Sequence, residues 1–463
     1  MKTAQPPQQS PPPTTRDVRR SAIGILVRVE RDGAHAAKLL DDKGDRFDPR
    51  DRDLLRALVK KTLRAALRLD HVLARHMTRQ MGALDPPVRA ALRLGAAQLL
   101  LFDRIPVHAA VGETVEAVKA IAPRAAPLVN AILRSVAAKE KAPGAVHVPR
   151  DTPLATRLGL LYGHPAWLVE RWLRDLGEEA TRGALESNDD DTPIDLLLDP
   201  AAGTPEEITA ALAADGVVVR RHPLAKLAAT VVEGDAARHP LVQSSRLPVI
   251  DSAAQAMAEA LPPSALALDL CAAPGGKTRT LLALGRAGRV IALERQPARA
   301  SRLAKSLARG ERSKSVLVVV ADAGAPPLRK TAFEAILLDA PCSGTGTLRK
   351  NPEIRMRLKE TDLEGFAVVQ RRLLTAALSL LAAGGTLVYV TCSLEPEENE
   401  GVVDAVLDEL GEKGGVERVD AGVTSLAPFA RASGLVRVPP GETNDGFSLI
   451  TLRKRRQPAS AKG

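Results

Sequence analysis

One stretch, Leu266–Thr278 (LALDLCAAPGGKT), constrains the fold of this chain more than any other. It begins as an apolar run, breaks at Pro274-Gly275-Gly276, and leads into a second apolar run at Leu281–Leu284. A buried strand, a glycine turn and a helix in this order are typical of the carboxyl edge of a doubly wound parallel sheet. Glycines let the backbone approach a ligand, and the first amides of the helix point towards it. The stretch therefore predicts a ligand-binding loop in an α/β domain.

Two classes of ligand fit such a loop. A phosphate-binding loop has the pattern Gly-x-x-x-x-Gly-Lys-Ser/Thr, and Gly276-Lys277-Thr278 matches its end, but Cys271 occupies the position of the first glycine. An adenosine ligand without a triphosphate needs only the turn and an acidic residue that ends the next strand. Glu294 ends the apolar run Val290–Glu294, 25 residues after Asp269. The loop favours adenosine and leaves the triphosphate as the alternative.

The totals limit the class of protein. A chain of 463 residues is long enough for two or three domains, and 45% hydrophobic with 26% charged residues indicates a globular protein. No apolar run reaches the roughly 18 residues that span a bilayer, and the Pro- and Gln-rich residues 1–15 do not resemble a signal peptide. Three cysteines without a Cys-x-x-Cys pair indicate a reducing cytoplasm and no structural metal site.

The positive charge is concentrated in one region. The chain carries a net charge of +10, and residues 16–139 contain 24 Lys+Arg against 14 Asp+Glu, so the whole excess belongs to the N-terminal part. A basic module joined to a nearly neutral one suggests a nucleic-acid-docking domain attached to a catalytic domain. Solvated helix faces of an arginine-rich chain are the alternative. Aromatic residues make up only 2%, which argues against binding by rows of stacked aromatics.

Residues 16–141 are predicted to form a helical bundle behind a flexible tail at 1–15. Breaks precede Pro49, Pro86 and Pro106, and no strand-like alternation is present. The residues that share a helix face in three segments are Ala22, Ile25, Leu26 and Val29, then Leu54, Leu55, Leu58 and Val59, then Leu92, Leu94, Leu99 and Leu100. Three stretches resemble the helical RNA-binding domain of the antitermination factor NusB: Asp51–Leu55, Leu92–Leu100 and Val129–Arg134.

The rest of the chain is predicted to be α/β. After a linker at Ala142–Pro149, residues 150–247 form a small module with helices at 165–185 and 205–212 and strands at 194–198 and 216–220. Residues 248–455 form a Rossmann-like domain, in which crossover helices connect a parallel sheet. Its predicted strands are 266–269, 290–294, 316–320, 335–339 and 386–390, with helices at 297–309 and 363–381. A basic tail, 456–463, has no assigned role.

All three cysteines lie just past predicted strand ends. Cys271 is expected to be a small buried hydrophobe behind the glycine turn. Cys342 and Cys392 follow two other strands, and because parallel strands end at one edge, their thiols are expected to meet over the ligand loop. Asp339, at the end of one of these strands, also fits the acid that holds magnesium in a phosphate-hydrolysing enzyme. Such an enzyme has no use for two cysteines at the sheet edge.

Methyl transfer to carbon 5 of a cytosine uses every part of this arrangement. Attack of a thiolate at carbon 6 makes carbon 5 nucleophilic enough to take a methyl group, which is covalent catalysis. A free thiol is mostly protonated at neutral pH, so a nearby positive charge or a proton acceptor is required, and Lys277 and the sulfonium of a bound S-adenosylmethionine are the candidates. Asp339 is placed to stabilise the adduct at the ring nitrogen, and a second thiol or base assists release. The residues alone leave open which cysteine attacks.

Five motifs together resemble the Nop/Sun family of RNA cytosine-C5 methyltransferases. They are Asp269–Thr278, Asp339–Gly346, Asn351–Glu353, Thr391–Ser393 with Glu397–Asn399, and Asn444–Phe447. With the NusB-like part, the resemblance covers the chain from about Arg16 to Lys454. It implies that Cys392 is the nucleophile and that Cys342 assists release. It also implies an S-adenosylmethionine site formed by Cys271, Ala272, Ala273, Pro274, Gly275, Gly276 and Lys277, with Glu294, Asp322 and Asp339 as further contacts.

The expected function is therefore methylation of a cytosine in small-subunit (16S) ribosomal RNA. We expect a monomeric cytoplasmic enzyme without a membrane partner or metal. Two other functions fit parts of the sequence. A P-loop ATPase acting on RNA would use Lys277, and a non-catalytic RNA-binding factor would keep the fold without using the cysteine pair.

Overall fold

The structure, a computed structural model, describes residues 15–140, 148–309 and 312–456. The predicted tail at residues 1–14, most of the predicted linker at 142–149 and the basic tail at 457–463 lie outside the described residues. The helices are α1 (Thr15–Asp32), α2 (Ala36–Gly44), α3 (Pro49–Arg64), α4 (Ala66–Ala74), α5 (Pro86–Leu101), α6 (Val107–Ile121), α7 (Ala126–Lys139), α8 (Leu154–Tyr162), α9 (Ala166–Leu176), α10 (Glu178–Asp189), α11 (Pro205–Ala214), α12 (Pro240–Gln243), α13 (Ser252–Glu259), α14 (Gly276–Ala283), α15 (Pro297–Ala308), α16 (Ile354–Arg357), α17 (Leu363–Leu380) and α18 (Glu400–Leu410).

The strands are β1 (Asp195–Leu197), β2 (Val218–Arg221), β3 (Ala228–Glu233), β4 (Ser264–Leu270), β5 (Ala287–Glu294), β6 (Val316–Val320), β7 (Phe333–Asp339), β8 (Leu381–Thr391), β9 (Val416–Val419), β10 (Leu435–Val438) and β11 (Phe447–Lys454). The chain divides into two compact units. The first contains Met1–Asp189 and Lys350–Leu358, and the second contains Asp190–Arg349 and Lys359–Gly463. Helices α8–α10, which the sequence placed in the module 150–247, thus belong to the first unit.

The first unit is helical in its described residues, as the sequence predicted. Nearly all of the predicted helix-face residues are buried in one core, with Leu54 and Leu99 at its margin. Helix α3 begins where Asp48 accepts a hydrogen bond from the Asp51 amide at 2.9 Å, next to Pro49. The helix predicted at 165–185 is two helices, because Gly177, with a φ of +83°, interrupts it.

The segment Lys350–Leu358 packs into the first unit, although it follows the Cys342 motif in sequence. Its buried Arg355 donates hydrogen bonds to the carbonyl oxygens of Arg64 at 2.9 Å and Tyr162 at 3.2 Å. Burial lowers the pKa of this guanidinium to about 9. The motif Asn351–Glu353 therefore has a structural partner in the helical unit, because the amide of Ala36 donates to Glu353 at 3.2 Å.

The second unit contains two sheets. A three-stranded antiparallel sheet has the order β1-β3-β2. Its central strand β3 was not predicted, since the sequence AATVVE opens with two alanines of low strand propensity. The eight-stranded sheet has the order β10-β11-β8-β7-β4-β5-β6, and β9 pairs with β11.

The five predicted strands of the large sheet are present and parallel to one another. The expectation of a purely parallel sheet was incomplete, because β9, β10 and β11 add to it in antiparallel orientation. Antiparallel strands need no crossover helix between them, so the alternation of strands and α-helices that identified the other strands ends after α18, and β9, β10 and β11 follow without an α-helix.

Alternating residues of the central strands face two separate cores. One face of the sheet, with Ala267 and Leu337, packs against α13, α14 and α15, and the other, with Leu268 and Leu338, packs against α17 and α18. From β4 the chain proceeds through β5 and β6 to one side, then returns through β7 and β8 on the other side. The strand order therefore reverses between β4 and β7, which is where doubly wound folds bind ligands.

Candidate active site

A cavity of about 460 Å³ lies at this reversal point, within the second unit. It is lined by residues that follow five strands, β4 to β8, and by one face of α17, and all three cysteines contribute to it. The lining side chains are Cys271, Ala273, Leu293, Glu294, Arg295, Gln296, Arg299, Ala321, Asp322, Ala323, Asp339, Ala340, Pro341, Cys342, Phe366, Val369, Arg372, Leu373 and Cys392. Ala272, Pro274, Gly275, Gly276 and Lys277 of the predicted site do not line it.

The glycine loop, which we define as Cys271–Lys277, takes its shape from its backbone. Cys271 has a φ of +64°, and the amide of Ala272 donates to the carbonyl oxygen of Leu293 at 2.8 Å. Gly275 has a φ of +105°, and a Cβ atom there would lie 2.7 Å from a methyl group of Leu303. A side chain at this position would be both strained and too close to α15, so only glycine fits. Helix α14 begins directly afterwards.

Lys277 connects the glycine loop to the end of β7. Its Nζ lies 2.8 Å from Oδ2 of Asp339 and 4.8 Å from the ring centroid of Phe447. Burial lowers the pKa of Lys277, but the carboxylate of Asp339 outweighs burial, so the net pKa is raised. The ammonium therefore stays charged at neutral pH.

The carboxyl group of Asp269 lies buried beneath the loop. Its Oδ2 accepts a hydrogen bond from the Thr278 hydroxyl at 2.5 Å, whereas Oδ1 has no hydrogen-bond partner in the structure. Burial raises the pKa of Asp269 to about 7, and the nearby charge of Asp339 adds to the increase. This group therefore titrates close to neutral pH.

Two further acids reach the cavity from the ends of β5 and β6. Buried Glu294 accepts a hydrogen bond from the Gln296 amide at 2.8 Å, and its other oxygen lies 3.4 Å from the Arg299 guanidinium. Asp322 accepts from the Gly324 amide at 2.9 Å and pairs with Arg372 at 3.0 Å. The hydrogen bond from Gly324 and the charge of Arg372 hold the pKa of Asp322 below its usual value.

The thiols of Cys342 and Cys392 meet in the cavity, as expected for residues that follow neighbouring strands β7 and β8. Their sulfur atoms are 3.2 Å apart. The contact with Cys392, together with burial, raises the pKa of the Cys342 thiol. Burial also raises the pKa of Cys271, to about 12, with the carboxylate of Asp339 adding to it. Cys271 and Cys342 are therefore protonated at neutral pH.

A buried carboxylate, Glu398, links the two cysteine-bearing loops. Its Oε2 accepts hydrogen bonds from the Ser343 amide at 2.8 Å and the Gln370 amide group at 2.9 Å. Its Oε1 accepts from the hydroxyl groups of Ser343 and Ser393. Loss of the carboxylate would leave buried donors unpaired, at a cost of about 1–3 kcal/mol for each group.

The residue after Glu398 extends this network. The Asn399 amide group donates to the carbonyl oxygens of Ser393 at 3.0 Å and Glu395 at 2.8 Å. Its side-chain oxygen accepts a hydrogen bond from the Thr391 hydroxyl at 2.6 Å. The motif Glu397–Asn399 was noted in the sequence without a role, and its structural role is to fix the chain around Cys392.

Sequence analysis missed the residues of α17 at the site. Gln370 bridges Glu398 and the carbonyl oxygen of Pro341, and Phe366 and Leu373 supply apolar lining. Of these residues, Phe366 could have been noticed in the sequence, because aromatic residues are rare in this chain. Across the described ranges, no three histidine, cysteine, aspartate or glutamate side chains form a group that could hold a metal ion. None of the described helices combines the length and apolar composition needed to cross a bilayer.

Three family models match the chain. Residues 257–453 match 16S rRNA methyltransferase RsmB/F, residues 16–138 match the NusB family, and residues 164–234 match an RsmF/B-like ferredoxin-like domain. Two solved structures share the fold. The crystal structure of PH0851 is 24% identical with a TM-score of 0.78, covering 96% of this chain and 100% of that one. NSun6 from Pyrococcus horikoshii, solved with SFG, is 18% identical with a TM-score of 0.53, covering 63% of this chain and 99% of that one.

A curated relative covers almost the whole chain. Ribosomal RNA small subunit methyltransferase B from Vibrio cholerae is 32% identical over 445 residues, which is 95% of this chain and 98% of the relative. The motifs of the cysteine pair and the glycine loop lie within the matched region 257–453. The resemblance inferred from the sequence is thus confirmed, and the chain belongs to the 16S rRNA methyltransferase RsmB/F family of Nop/Sun-type enzymes.

Proposed function

We propose that this chain transfers a methyl group from S-adenosylmethionine to carbon 5 of a cytosine in small-subunit ribosomal RNA, with Cys392 as the nucleophile. One observation carries the assignment of the chemistry. The thiols of Cys342 and Cys392 lie 3.2 Å apart in the cavity that Glu294 and Asp339 also line. Family membership supports the substrate, because the curated relative is a small-subunit rRNA methyltransferase.

The residues around the cavity fit S-adenosylmethionine. The volume of about 460 Å³ falls in the usual range for a small-molecule site. Apolar side chains such as Leu293 and Phe366 suit an adenine ring, and carboxylates suit ribose hydroxyls and positive charge. We assign cofactor contacts to the glycine loop, of which Cys271 and Ala273 line the cavity, and to Glu294, Asp322 and Asp339. When bound, the cofactor supplies an activated methyl group on a sulfonium.

The chain's own groups account for attack. The sulfur of Cys392 adds to carbon 6 of the cytosine, which forms a C–S bond and makes carbon 5 electron-rich. A positive charge near the sulfur assists attack by a thiol, and we assign this part to the ammonium of Lys277, which Asp339 holds at 2.8 Å. Asp339 lines the same cavity and is assigned to the ring nitrogen. As attack moves electrons towards this nitrogen, the nitrogen takes up the proton that Cys392 loses, and its N–H donates to the carboxylate, which stabilises the adduct.

The two cysteines have different tasks in release. After methylation, a base from the solvent takes the carbon 5 proton, the electrons of that C–H bond restore the double bond, and the electron pair of the C–S bond leaves with the sulfur of Cys392. Cys342 keeps its proton at neutral pH, because the contact with Cys392 and burial both raise its pKa. Its S–H group can therefore donate to the departing sulfur 3.2 Å away. This division supports Cys392 as nucleophile and Cys342 as the residue that assists release.

The alternative hypothesis of a P-loop ATPase has less support. In a phosphate-binding loop the lysine contacts the phosphates, whereas Lys277 forms a 2.8 Å ion pair with Asp339. Three carboxylates, Glu294, Asp322 and Asp339, also line the cavity. A triphosphate would bring several negative charges against them, which is unfavourable.

The helical unit is proposed to bind RNA, since it matches the NusB family and carries the positive charge. A cytosine in a loop or an unfolded segment is the proposed target, because unstacking a base from a duplex costs a few kcal/mol. We retain the domain division 16–141, 150–247 and 248–455 as a proposal, which the three matched regions support. The monomeric state and cytoplasmic location stay predictions.

Two measurements test the function. Calorimetric titration should show that S-adenosylmethionine binds and that ATP does not compete. Incubation with transcribed small-subunit rRNA and a labelled methyl donor should then yield 5-methylcytidine after nuclease digestion. ATP turnover that Lys277→Ala abolishes would favour the ATPase, and RNA binding without cofactor binding would favour the non-catalytic factor.

A further inference from the structure

We propose that Glu398 is a positioning residue, which holds the two cysteine-bearing loops together and thereby sets the separation of the Cys342 and Cys392 thiols. The part of this proposal that concerns the position of the thiols rests on the observed contacts alone. Its consequence for turnover rests on the function proposed above. Glu398 does not line the cavity, so it acts through the cysteines and not on the substrate.

The contacts of Glu398 are arranged symmetrically about the thiol pair. Ser343 directly follows Cys342, and Ser393 directly follows Cys392. Both serine hydroxyls donate to Oε1, the Ser393 hydroxyl at 2.5 Å, and the Ser343 amide donates to Oε2 at 2.8 Å. The carboxylate is fully buried, so no water competes for these donors. One side chain therefore holds the residue after each cysteine.

Residues of two other elements hold Glu398 itself, one at its main chain and one at its carboxylate. The hydroxyl of Tyr389, on β8, donates to the main-chain carbonyl of Glu398 at 2.7 Å. Gln370, on α17, donates to Oε2 and to the carbonyl oxygen of Pro341, both at 2.9 Å. Because its anchors lie on a strand and a helix, Glu398 can transmit a fixed geometry to the loops.

The sheet does not hold the thiols by itself. The ladder between β7 and β8 ends at Asp339 and Val390, with one further hydrogen bond from the Ala340 amide to Val390. The loops touch again where the Gly346 amide donates to the Cys392 carbonyl at 2.9 Å, four residues beyond Cys342. Between these points, the Thr345 hydroxyl accepts from the Leu394 amide at 3.1 Å and lies 3.4 Å from the Ser393 hydroxyl. Closer to Cys342, the contacts that join the loops run through Glu398 and the Ser343–Ser393 hydroxyl pair, which is 3.2 Å apart.

The thiol separation can be measured without any methyl transfer. Equilibration with a glutathione redox buffer oxidises Cys342 and Cys392 to a disulfide, while one oxidised glutathione is reduced to two reduced molecules. The equilibrium constant, read by mass spectrometry as the loss of two hydrogens, gives the effective concentration of one thiol at the other. We expect Glu398→Ala to lower this effective concentration by about tenfold or more.

A conservative variant separates positioning from simple loss of packing. In Glu398→Gln the side-chain carbonyl can accept from the Ser343 and Gln370 amides, while its amide group donates to the serine hydroxyls, which can also accept. We expect the effective concentration in Glu398→Gln to stay within about threefold of wild type. Glu259→Ala, which removes another buried carboxylate of the same unit, is the matched control and should leave the value unchanged.

Measurements of methylation kinetics test the consequence of Glu398 for function. Glu398→Ala should lower kcat for methylation at least tenfold with KM for cofactor and RNA nearly unchanged, and Glu398→Gln should restore most of it. Thiol pairing that depends on Glu398 in an enzyme without methylation activity would refute the proposed function and leave the positioning role standing. Wild-type thiol pairing in Glu398→Ala would overturn the positioning role, whatever the activity.

If Glu398→Ala fails to fold, as judged by its thermal unfolding, single hydroxyl deletions replace it. Ser343→Ala and Ser393→Ala each remove one donor to Oε1 and keep the carboxylate. We expect each to lower the effective thiol concentration about threefold. Wild-type values in both variants would contradict the proposal.

Discussion

The loop after β4 and the loop after β8 both face the cavity, but they are built differently. The glycine loop is shaped by its backbone, with positive φ values at Cys271 and Gly275 and an ion pair at its end. The chain from Cys392 to Asn399, which we call the β8 loop, is shaped by side chains. Its buried Glu398 and Asn399 accept hydrogen bonds from Gln370 on α17, Thr391 on β8 and Ser393 within the loop. The backbone of the glycine loop is shaped to accept a ligand, whereas the hydrogen bonds of the β8 loop fix the position of the Cys392 thiol.

This difference predicts where substitutions act. Changes in the glycine loop should alter the affinity for the cofactor and leave the chemical step nearly intact. Changes in the β8 loop should alter the chemical step and leave affinity nearly intact. A glycine-loop substitution that slows the chemical step, or a β8-loop substitution that weakens cofactor binding, would contradict this difference between the loops.

The largest effect is expected for Cys392→Ala. Without the attacking sulfur no adduct forms, and we expect methylation to fall by roughly 10⁴-fold or more, with cofactor binding unchanged by calorimetry. Cys271→Ala is the control, because it removes a cavity cysteine from the other loop. Methylation by Cys392→Ala at a rate near wild type would contradict the assignment of the nucleophile.

A smaller effect is expected for Gly275→Ala. The added Cβ would approach Leu303 to 2.7 Å at a φ of +105°, so the loop must shift. We expect the dissociation constant for S-adenosylmethionine to rise about tenfold, equivalent to about 1.4 kcal/mol, while kcat at saturation stays within a few-fold. Gly285→Ala is matched, since Gly285 also has a positive φ, +66°, but faces open space. Equal weakening of binding in both variants would show that backbone strain, and not the loop shape, is responsible.

The buried acid beneath the glycine loop predicts a dependence of stability on pH. The pKa of Asp269 is about 7 in the folded protein, against an ordinary value of 3.8. Its contribution is therefore fully present below about pH 3.8 and is lost as the pH rises through about 7. Relative to Asp269→Asn, wild type should lose at most about 1.4 kcal/mol per pH unit in this window, as measured by chemical denaturation. Asp322 should show the opposite slope in a lower window: because its pKa is lowered from 3.8, its stabilisation is present above about pH 3.8 and is lost, relative to Asp322→Asn, as the pH falls below that value.

The smallest effect is expected for Cys271→Ala. Its thiol stays protonated, because burial raises its pKa to about 12. We expect methylation within about threefold of wild type, since the change removes little more than packing, and we expect this thiol to resist maleimide labelling at pH 8 in the folded protein. A large loss of kcat in this variant would mean that the glycine loop takes part in chemistry.

The sequence predicted the parts of this site that depend on topology. Parallel strands end at one edge, so the convergence of Asp339, Cys342 and Cys392 followed from their positions just past apolar runs. It also predicted the helical and α/β character of the two parts of the chain. The roles of the two cysteines required the family resemblance, because their spacing alone does not show which thiol is the nucleophile.

The rest could not be predicted, because it depends on hydrogen bonds between residues that are distant in sequence. Glu398 meets Ser343 across 55 positions, and Gln370 meets Glu398 across 28. No periodicity marks such pairs. Similarly, nothing in the segment Lys350–Leu358 indicated that Arg355 would be buried in the helical unit.

The most direct test of the central claim is to trap the adduct in Cys342→Ala. If the thiols divide attack and release, this variant should accumulate a covalent RNA–protein complex on a denaturing gel when supplied with rRNA and S-adenosylmethionine. Digestion and mass spectrometry should then locate a methylated cytidine on the peptide that contains Cys392. A nucleotide attached to another residue, or steady methylation by Cys342→Ala without any adduct, would contradict the account.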